Sequence, residues 1–249
     1  MGIGFELAKL FAADGHNLII VARNESDLEA AKSQLEGSGV DVITISKDLF
    51  VPEAPFELYE AIEKQNLSVD ILVNNAGQGQ YGLFKDTDIR RELAIIQLNI
   101  STVITLTKLF LKDMLARGSG KILNLSSIAS KTPGPWQSVY HGTKAFVQSF
   151  TEAIRSEVKD SGVTVTALLP GATDTDFFNK ADMEESKIVQ EGKLGDAAKV
   201  AQDGYDALMK GDDMIVSGFK NKINVGMSNM TPDHMIADKM KKQQAPSEK

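Results

Sequence analysis

Cysteine is absent from the 249 residues, which excludes disulfides, thiol nucleophiles, iron–sulfur clusters and thiolate zinc sites. Histidine is scarce: His16, His141 and His234 are too scattered to predict a metal site. Basic residues are the minority, 27 against 34 acidic, and the net charge of −7 argues against nucleic acid as a partner, because phosphate-backbone binding needs a basic face. No basic segment followed by an apolar run opens the chain, so a secretory leader is not expected and the cytoplasm is the expected location. The longest uncharged stretch, 93–107, is too short and too rich in Gln, Asn, Ser and Thr to predict a membrane span, and reads as a buried or interface helix.

What is present is material for one sizeable core, with 42% of residues hydrophobic. Apolar, β-rich runs at 17–22, 41–46, 71–75, 121–125, 164–169 and 214–217 alternate with helical patterns at 26–35, 56–65, 89–117, 138–160 and 196–210. Ser26-Asp27-Leu28-Glu29 has the form of a capping box opening the first of these helices. Continuous apolar strands separated by helices predict an α/β fold, a doubly wound parallel sheet with helices on both faces. No repeat or Pro/Ser-rich linker divides the chain, so 1–249 reads as a single domain. Segment 172–195 lacks a strand pattern and is expected to be a mobile substrate lid, while the polar 241–249 is expected to fray.

Several short patterns carry chemistry. Gly2-Ile3-Gly4 runs into a helix and would let backbone N–H groups approach a pyrophosphate, though two glycines before a helix are often a plain turn. Arg23 follows the strand at 17–22, where a dinucleotide fold reads the adenosine ribose; it would attract a 2′-phosphate, or is a solvated surface arginine. Asn75-Ala76-Gly77 ends another strand in small residues that admit a ligand, or is an ordinary turn. Gly118-Ser119-Gly120-Lys121 is not a phosphate loop, since Ile122 follows the lysine and a strand comes next. Tyr140 and Lys144 lie four apart on one helix face, so the ammonium is expected to lower the phenol pKa and fit it for proton transfer. Ser127 supplies a hydroxyl thirteen residues before Tyr140 that could orient a carbonyl, or is merely a strand end.

Taken in order, Gly2-Ile3-Gly4, Asp48-Leu49, Asn74-Asn75-Ala76-Gly77, Asn99, Ser127, Tyr140, Lys144 and Pro170-Gly171 leading to Thr175 resemble the short-chain dehydrogenase/reductase family over nearly the whole chain. The resemblance implies a Rossmann-type fold with Gly2, Ile3 and Gly4 at the pyrophosphate, Asp48 and Leu49 by the adenine, and Asn75, Ala76 and Gly77 lining the cofactor cleft. It implies Tyr140 as general acid/base and Lys144 on the nicotinamide ribose. Ser127 would bond the carbonyl, Asn99 would place a relay water, and the segment from Pro170 and Gly171 through Thr173 to Thr175 would meet the nicotinamide.

Two departures from the family stand out. The strand and Thr-Gly turn that usually precede the glycine pair are missing, with Met1 in their place, so the first strand is expected to be absent and the working protein to begin upstream. His141-Gly142-Thr143 replaces the usual small residues between Tyr and Lys; His141 points about 100° away from Tyr140 and reads as a packing or surface residue. The expected activity is an NADP(H)-dependent oxidoreductase acting on a small-molecule carbonyl or secondary alcohol, with NAD(H) the cofactor if Glu25 rather than Arg23 meets the ribose. The rival reading is a dinucleotide-binding sensor or scaffold without turnover. A broad apolar face on 89–117, together with the resemblance, leads to a homodimer or homotetramer as the expected assembly.

Overall fold

The computed structural model describes residues 2–228 and 231–247, so expectations for Met1 and for Glu248 and Lys249 lie outside the described residues. Among the described residues six strands form, all paired in parallel. β1 (Leu18–Ala22) pairs with β2 (Val42–Ser46), Leu18 opposite Val42. β3 (Ile71–Asn74), β4 (Gly120–Leu125), β5 (Val163–Leu169) and β6 (Met214–Val216) make a second sheet in that order.

Helices cover both faces. α1 (Ile3–Ala13) and α9 (Ala197–Lys210) pack Leu7, Phe11, Val200, Ala201 and Leu208 against Leu123, Leu125 and Leu168. On the other face α3 (Ala54–Glu63) and α5 (Thr102–Arg117) set Leu58, Ile62, Leu106, Phe110 and Met114 against Leu72, Ile122 and Val165. Burial on both faces explains why these strands read as apolar runs rather than as alternating patterns. The fold is the Rossmann-type arrangement the sequence predicts.

The strands form two separate sheets. β1 pairs only with β2 and β3 only with β4, so the two sheets face each other along unpaired edges. Between them lies a cavity of about 1870 Å³ walled by β1, β3 and the core side chains Leu7, Phe11, Ile62 and Phe110, continuous with the cleft at the strands' C-terminal ends.

Most boundaries fall within two residues of the sequence expectation, and the following differences bear on the site or the termini. α2 (Glu25–Leu35) starts before Ser26, because Asn24 is the cap: its Oδ1 accepts from the backbone of Ser26 at 2.9 Å and of Asp27 at 3.2 Å. The helix at 89–117 is α4 (Ile89–Ile96), a π-helical turn over Gln97–Ser101 and then α5. These 29 residues are long and apolar enough to cross a membrane by length and composition, which the uncharged stretch alone was not, yet α5 is packed into the core just described. Two helices without a predicted counterpart follow β6, α10 (Phe219–Ser228) and α11 (Asp233–Gln244). Finally, 241–247 does not fray: Lys241–Gln244 closes α11, Pro246 bridges Ser186, and Ser247 N donates to the Glu185 carbonyl at 2.7 Å.

Candidate active site

The site sits at the C-terminal ends of β3, β4 and β5, where a doubly wound sheet opens a crevice. A buried polar chain squares these ends. Asn74, opposite Asn124 in the register, donates through Nδ2 to Asn124 Oδ1 at 2.8 Å and to Thr107 Oγ1 at 3.0 Å. Asn124 Nδ2 donates in turn to Thr151 Oγ1 at 3.0 Å, so α5, β3, β4 and α6 (Ser138–Val158) are tied at one level. Sequence reasoning treated Asn74 as part of a cofactor motif and did not single out Asn124; facing asparagines at matching strand positions are the signal it could have used.

Ser127 lies just beyond β4, and Tyr140 and Lys144 stand one turn apart at the start of α6. Tyr140 is in hydrogen-bond contact with the Ser127 side chain, and all three residues wall the cavity. Burial, partly opposed by the Ser127 contact, pushes the Tyr140 phenol up to about 12. This reverses the lowering expected from Lys144. Its ammonium is 5.8 Å from the Tyr140 ring centroid and donates to the Leu125 carbonyl at 2.8 Å, and burial drops its own pKa to about 8. Desolvation of two buried groups outweighs their mutual effect.

Asn99 sits in the π-helical turn, the kind of local widening that recurs at functional sites. The extra residue turns its side chain onto the loop after β3: Nδ2 donates to the Gln78 carbonyl at 2.9 Å and to Thr143 Oγ1 at 3.0 Å, and Oδ1 accepts from Gln78 N at 3.0 Å. Asn99 is thus a buried clamp behind the cleft rather than part of its wall.

The nucleotide side gathers residues far apart in sequence. A Cβ on Gly4 would stand 2.4 Å from Asn75 Nδ2, so glycine here lets α1 and the Asn75 side chain meet as they do at the end of β3. A Cβ on Gly2 would touch Thr175 at 3.2 Å, bringing the segment after β5 to the start of α1. Ile3, Leu49, Ala76 and Gly77 line the same cavity, as do Pro170, Gly171 and Thr173. This bare backbone cradle at a helix start fits a dinucleotide pyrophosphate. Arg23 and Asp48 stay outside the wall. The Arg23 guanidinium stacks 5.1 Å over the Phe50 ring at the rim, and the exposed Asp48 accepts from Phe50 N at 3.1 Å.

On the substrate side, the 172–195 segment folds into α7 (Phe177–Lys180) and α8 (Lys187–Gln190) around buried Phe178, Ala181 and Met183. Phe177 tilts over Tyr140 with ring centroids 5.1 Å apart. Trp136 lies outside this wall and stacks on Tyr81, ring centroids 5.5 Å apart. The opposite wall comes from α10 and α11, through Val225, Ile236, Met240 and Gln244, which sequence reasoning missed; Ile236, Met240 and Gln244 at helical spacing after Pro232-Asp233 were the available signal. Gln244 is fastened at both ends. Its carbonyl accepts from the Tyr81 hydroxyl at 2.6 Å, and its Nε2 donates to His141 Nε2 at 3.1 Å while His141 Nδ1 donates to the Thr132 carbonyl at 2.8 Å. Burial lowers the His141 pKa, which keeps the ring neutral and able to accept. His141 is therefore a packing residue, as its helix position predicts.

The profile of the family described as short chain dehydrogenase matches residues 1–186. The chain is 30% identical over 243 residues to the dehydrogenase/reductase SDR family member 7B of Mus musculus, covering 93% of this chain and 75% of that one. Among solved structures, a short-chain dehydrogenase from Sphingobium yanoikuyae, in complex with NADPH, superposes with a TM-score of 0.82 at 25% identity over 92% of this chain and 90% of its own. Another, from Streptomyces avermitilis, gives 0.78 at 26% identity over 92% and 88%. With the family profile spanning three-quarters of its length, the chain belongs to the short-chain dehydrogenase/reductase family of oxidoreductases.

Proposed function

We propose that the protein is an NADP(H)-dependent oxidoreductase that interconverts a carbonyl and a secondary alcohol, with Tyr140 as general acid/base. The observation that carries this reading is the convergence of Ser127, Tyr140 and Lys144 on one wall of the cleft that also holds the Gly4–Asn75 cradle. NADP(H), when bound, supplies or takes up the hydride. The remaining work belongs to the chain. Tyr140, kept protonated by burial, gives its proton to the carbonyl oxygen as that oxygen gains negative charge. The Ser127 hydroxyl accepts from Ala129 N at 3.1 Å and donates only at a long 3.4 Å to the Pro170 carbonyl, so its proton can turn to hold the same oxygen. Lys144 stands beside Gly77, whose notional Cβ would be 3.2 Å from its Nζ, on the side where the ribose hydroxyls would lie, and Asn99 fixes the Gln78 peptide behind it.

Arg23 at the end of β1, with no acid at Ala22, favours a 2′-phosphate, and the NADPH complex of the Sphingobium relative supports the choice. Pairing of copies through α5 and α6, where Ile104, Leu115 and Phe146 are exposed, and a cytoplasmic location complete the reading. The test is consumption of NADPH in the presence of a panel of ketones and aldehydes. The expected result is consumption only when a carbonyl is added; binding of NADPH without consumption by any carbonyl would instead identify a sensor.

A further inference from the structure

We propose that α10 and α11 form a docking face for an anionic membrane surface, with the mouth of the cavity turned toward the lipid.

α10 is held to the fold from one side. Val225 is buried against Ala167, Leu169 and Val216, and Asn221 Nδ2 donates to the Ser217 carbonyl at 2.7 Å. At 100° per residue, Phe219, Ile223 and Met227 fall within about 80° of one another on the opposite side, and all three are exposed. Phe219, at 78%, is the most exposed large apolar side chain among the described residues. Lys220 and Lys222 flank this stripe, one on each side. On α11 the exposed Met235 shares one side with Lys239 and Lys242. Met227, Met235 and Lys239 also line the cavity, so the apolar stripe runs to where the cavity meets solvent.

Charge identifies the occupant. Segment 219–242 carries five lysines, Lys220, Lys222, Lys239, Lys241 and Lys242, against Asp233 and Asp238, in a chain whose net charge is −7. All five are exposed. An apolar stripe bordered by lysines suits a lipid interface: the Phe219 ring and its neighbours enter the acyl boundary, the lysine stems lie along it, and the ammonium groups meet anionic headgroups. A second copy of the chain fits this face less well, because a two-fold pair through it would set like lysines against one another. Docking here is peripheral, since the 10 residues of α10 are about half of what a helix needs to span a bilayer.

The test is co-sedimentation of the full chain with vesicles of phosphatidylcholine alone and of phosphatidylcholine with an equal part of phosphatidylserine. Partition onto the mixed vesicles is expected to exceed that onto the neutral ones about tenfold or more, and to fall as salt is added. Phe219→Ser with Ile223→Ser removes the stripe and should lower partition onto mixed vesicles about tenfold. Lys220→Gln with Lys222→Gln keeps the stripe and should narrow the difference between the two vesicle types. All four side chains are exposed and lie outside the cavity wall, so both variants are expected to keep the wild-type Tm, which calorimetry checks. Equal partition onto both vesicle types, or binding to neither, overturns the proposal, as does undiminished binding by the Phe219→Ser, Ile223→Ser variant. Light scattering reads the rival occupant: a dimer that these two changes dissociate would make the face an interface between copies and overturn membrane docking. No turnover enters these measurements, so their outcome is separate from that of the proposed reaction.

Discussion

The two sheets carry different kinds of order. In the four-stranded sheet the residues around the chemistry are cross-linked by buried hydrogen bonds, Asn74 to Asn124 to Thr151, Asn99 to Thr143, and Lys144 to the Leu125 carbonyl. In the two-stranded sheet the side-chain hydrogen bonds are at the surface, such as Asn24 to Ser26 and Ser46 to the Arg23 carbonyl, and its inner edge faces the cavity. Buried bonds of this type fix geometry because breaking one strands a desolvated partner, whereas exposed ones exchange with water at little cost. The half that carries Ser127, Tyr140 and Lys144 is therefore built to hold its side chains in place, whereas the two-stranded sheet is held at its side chains by exchangeable surface bonds.

The sharpest way to break this comparison is to close the slot. A strand of five apolar residues joined ahead of Gly2 would complete ladders on β1 and β3 and cover Leu7, Phe11 and Phe110. Ladder bonds at about 1 kcal/mol each, with apolar burial, outweigh the ordering of five residues by roughly 5 kcal/mol, or about 10–20 °C in Tm. Calorimetry that found no rise would show that the two sheets are already fully coupled. Next in size is Tyr140→Phe, which removes the proton and keeps the ring. Turnover should drop by about 10²–10⁴ with NADPH affinity retained, and a variant that kept its turnover would take Tyr140 out of the mechanism.

The same division governs how far the sequence could be read. Strand and helix types were legible because burial on both sheet faces writes itself as apolar runs, and Tyr140, Lys144 and Ser127 were legible because fixed spacings on α6 and β4 put them on one side. The π-helical turn at Asn99 was not, since an added residue in a helix leaves the apolar period nearly unchanged. Nor was the direction of the Tyr140 pKa, because spacing reports a neighbouring cation and says nothing of desolvation. The fastening of Gln244 by Tyr81 and His141 joins residues more than a hundred positions apart, and only the folded chain brings them together.

Lys144 offers an intermediate effect with a definite sign. Burial holds its folded pKa at about 8 against an ordinary 10.5, so the charged form is disfavoured in the folded state. Both states are protonated below pH 8 and the penalty is complete there; it shrinks as pH rises towards 10.5, where the unfolded lysine also loses its proton. Lys144→Met should therefore stabilise the cofactor-free protein by about 2 kcal/mol at neutral pH, after loss of the bond to the Leu125 carbonyl, and by progressively less above pH 8. Denaturant melts across that range decide it: a gain that grew with pH would mean that the ammonium is favourably placed.

The smallest effect concerns the rim of the nucleotide half. Arg23 is exposed, but it is not loose: its carbonyl accepts from Ser46 Oγ at 3.1 Å, and its guanidinium stacks on Phe50, whose backbone Asp48 holds. Stacking leaves the edge of the guanidinium available for two charge-assisted bonds to a 2′-phosphate, which supports a preference for NADPH over NADH of about tenfold. Glu25 is the competing group, since it opens α2 two residues later and a carboxylate there would hold ribose hydroxyls and repel phosphate. Arg23 stands nearer the strand end, so it should decide. Arg23→Asp is expected to reverse the ratio of kcat/KM for the two cofactors, through like-charge repulsion of the phosphate, while activity with NADH holds or improves. A wild-type ratio that already favours NADH would transfer the choice to Glu25, and Glu25→Gln would then be the variant that moves it.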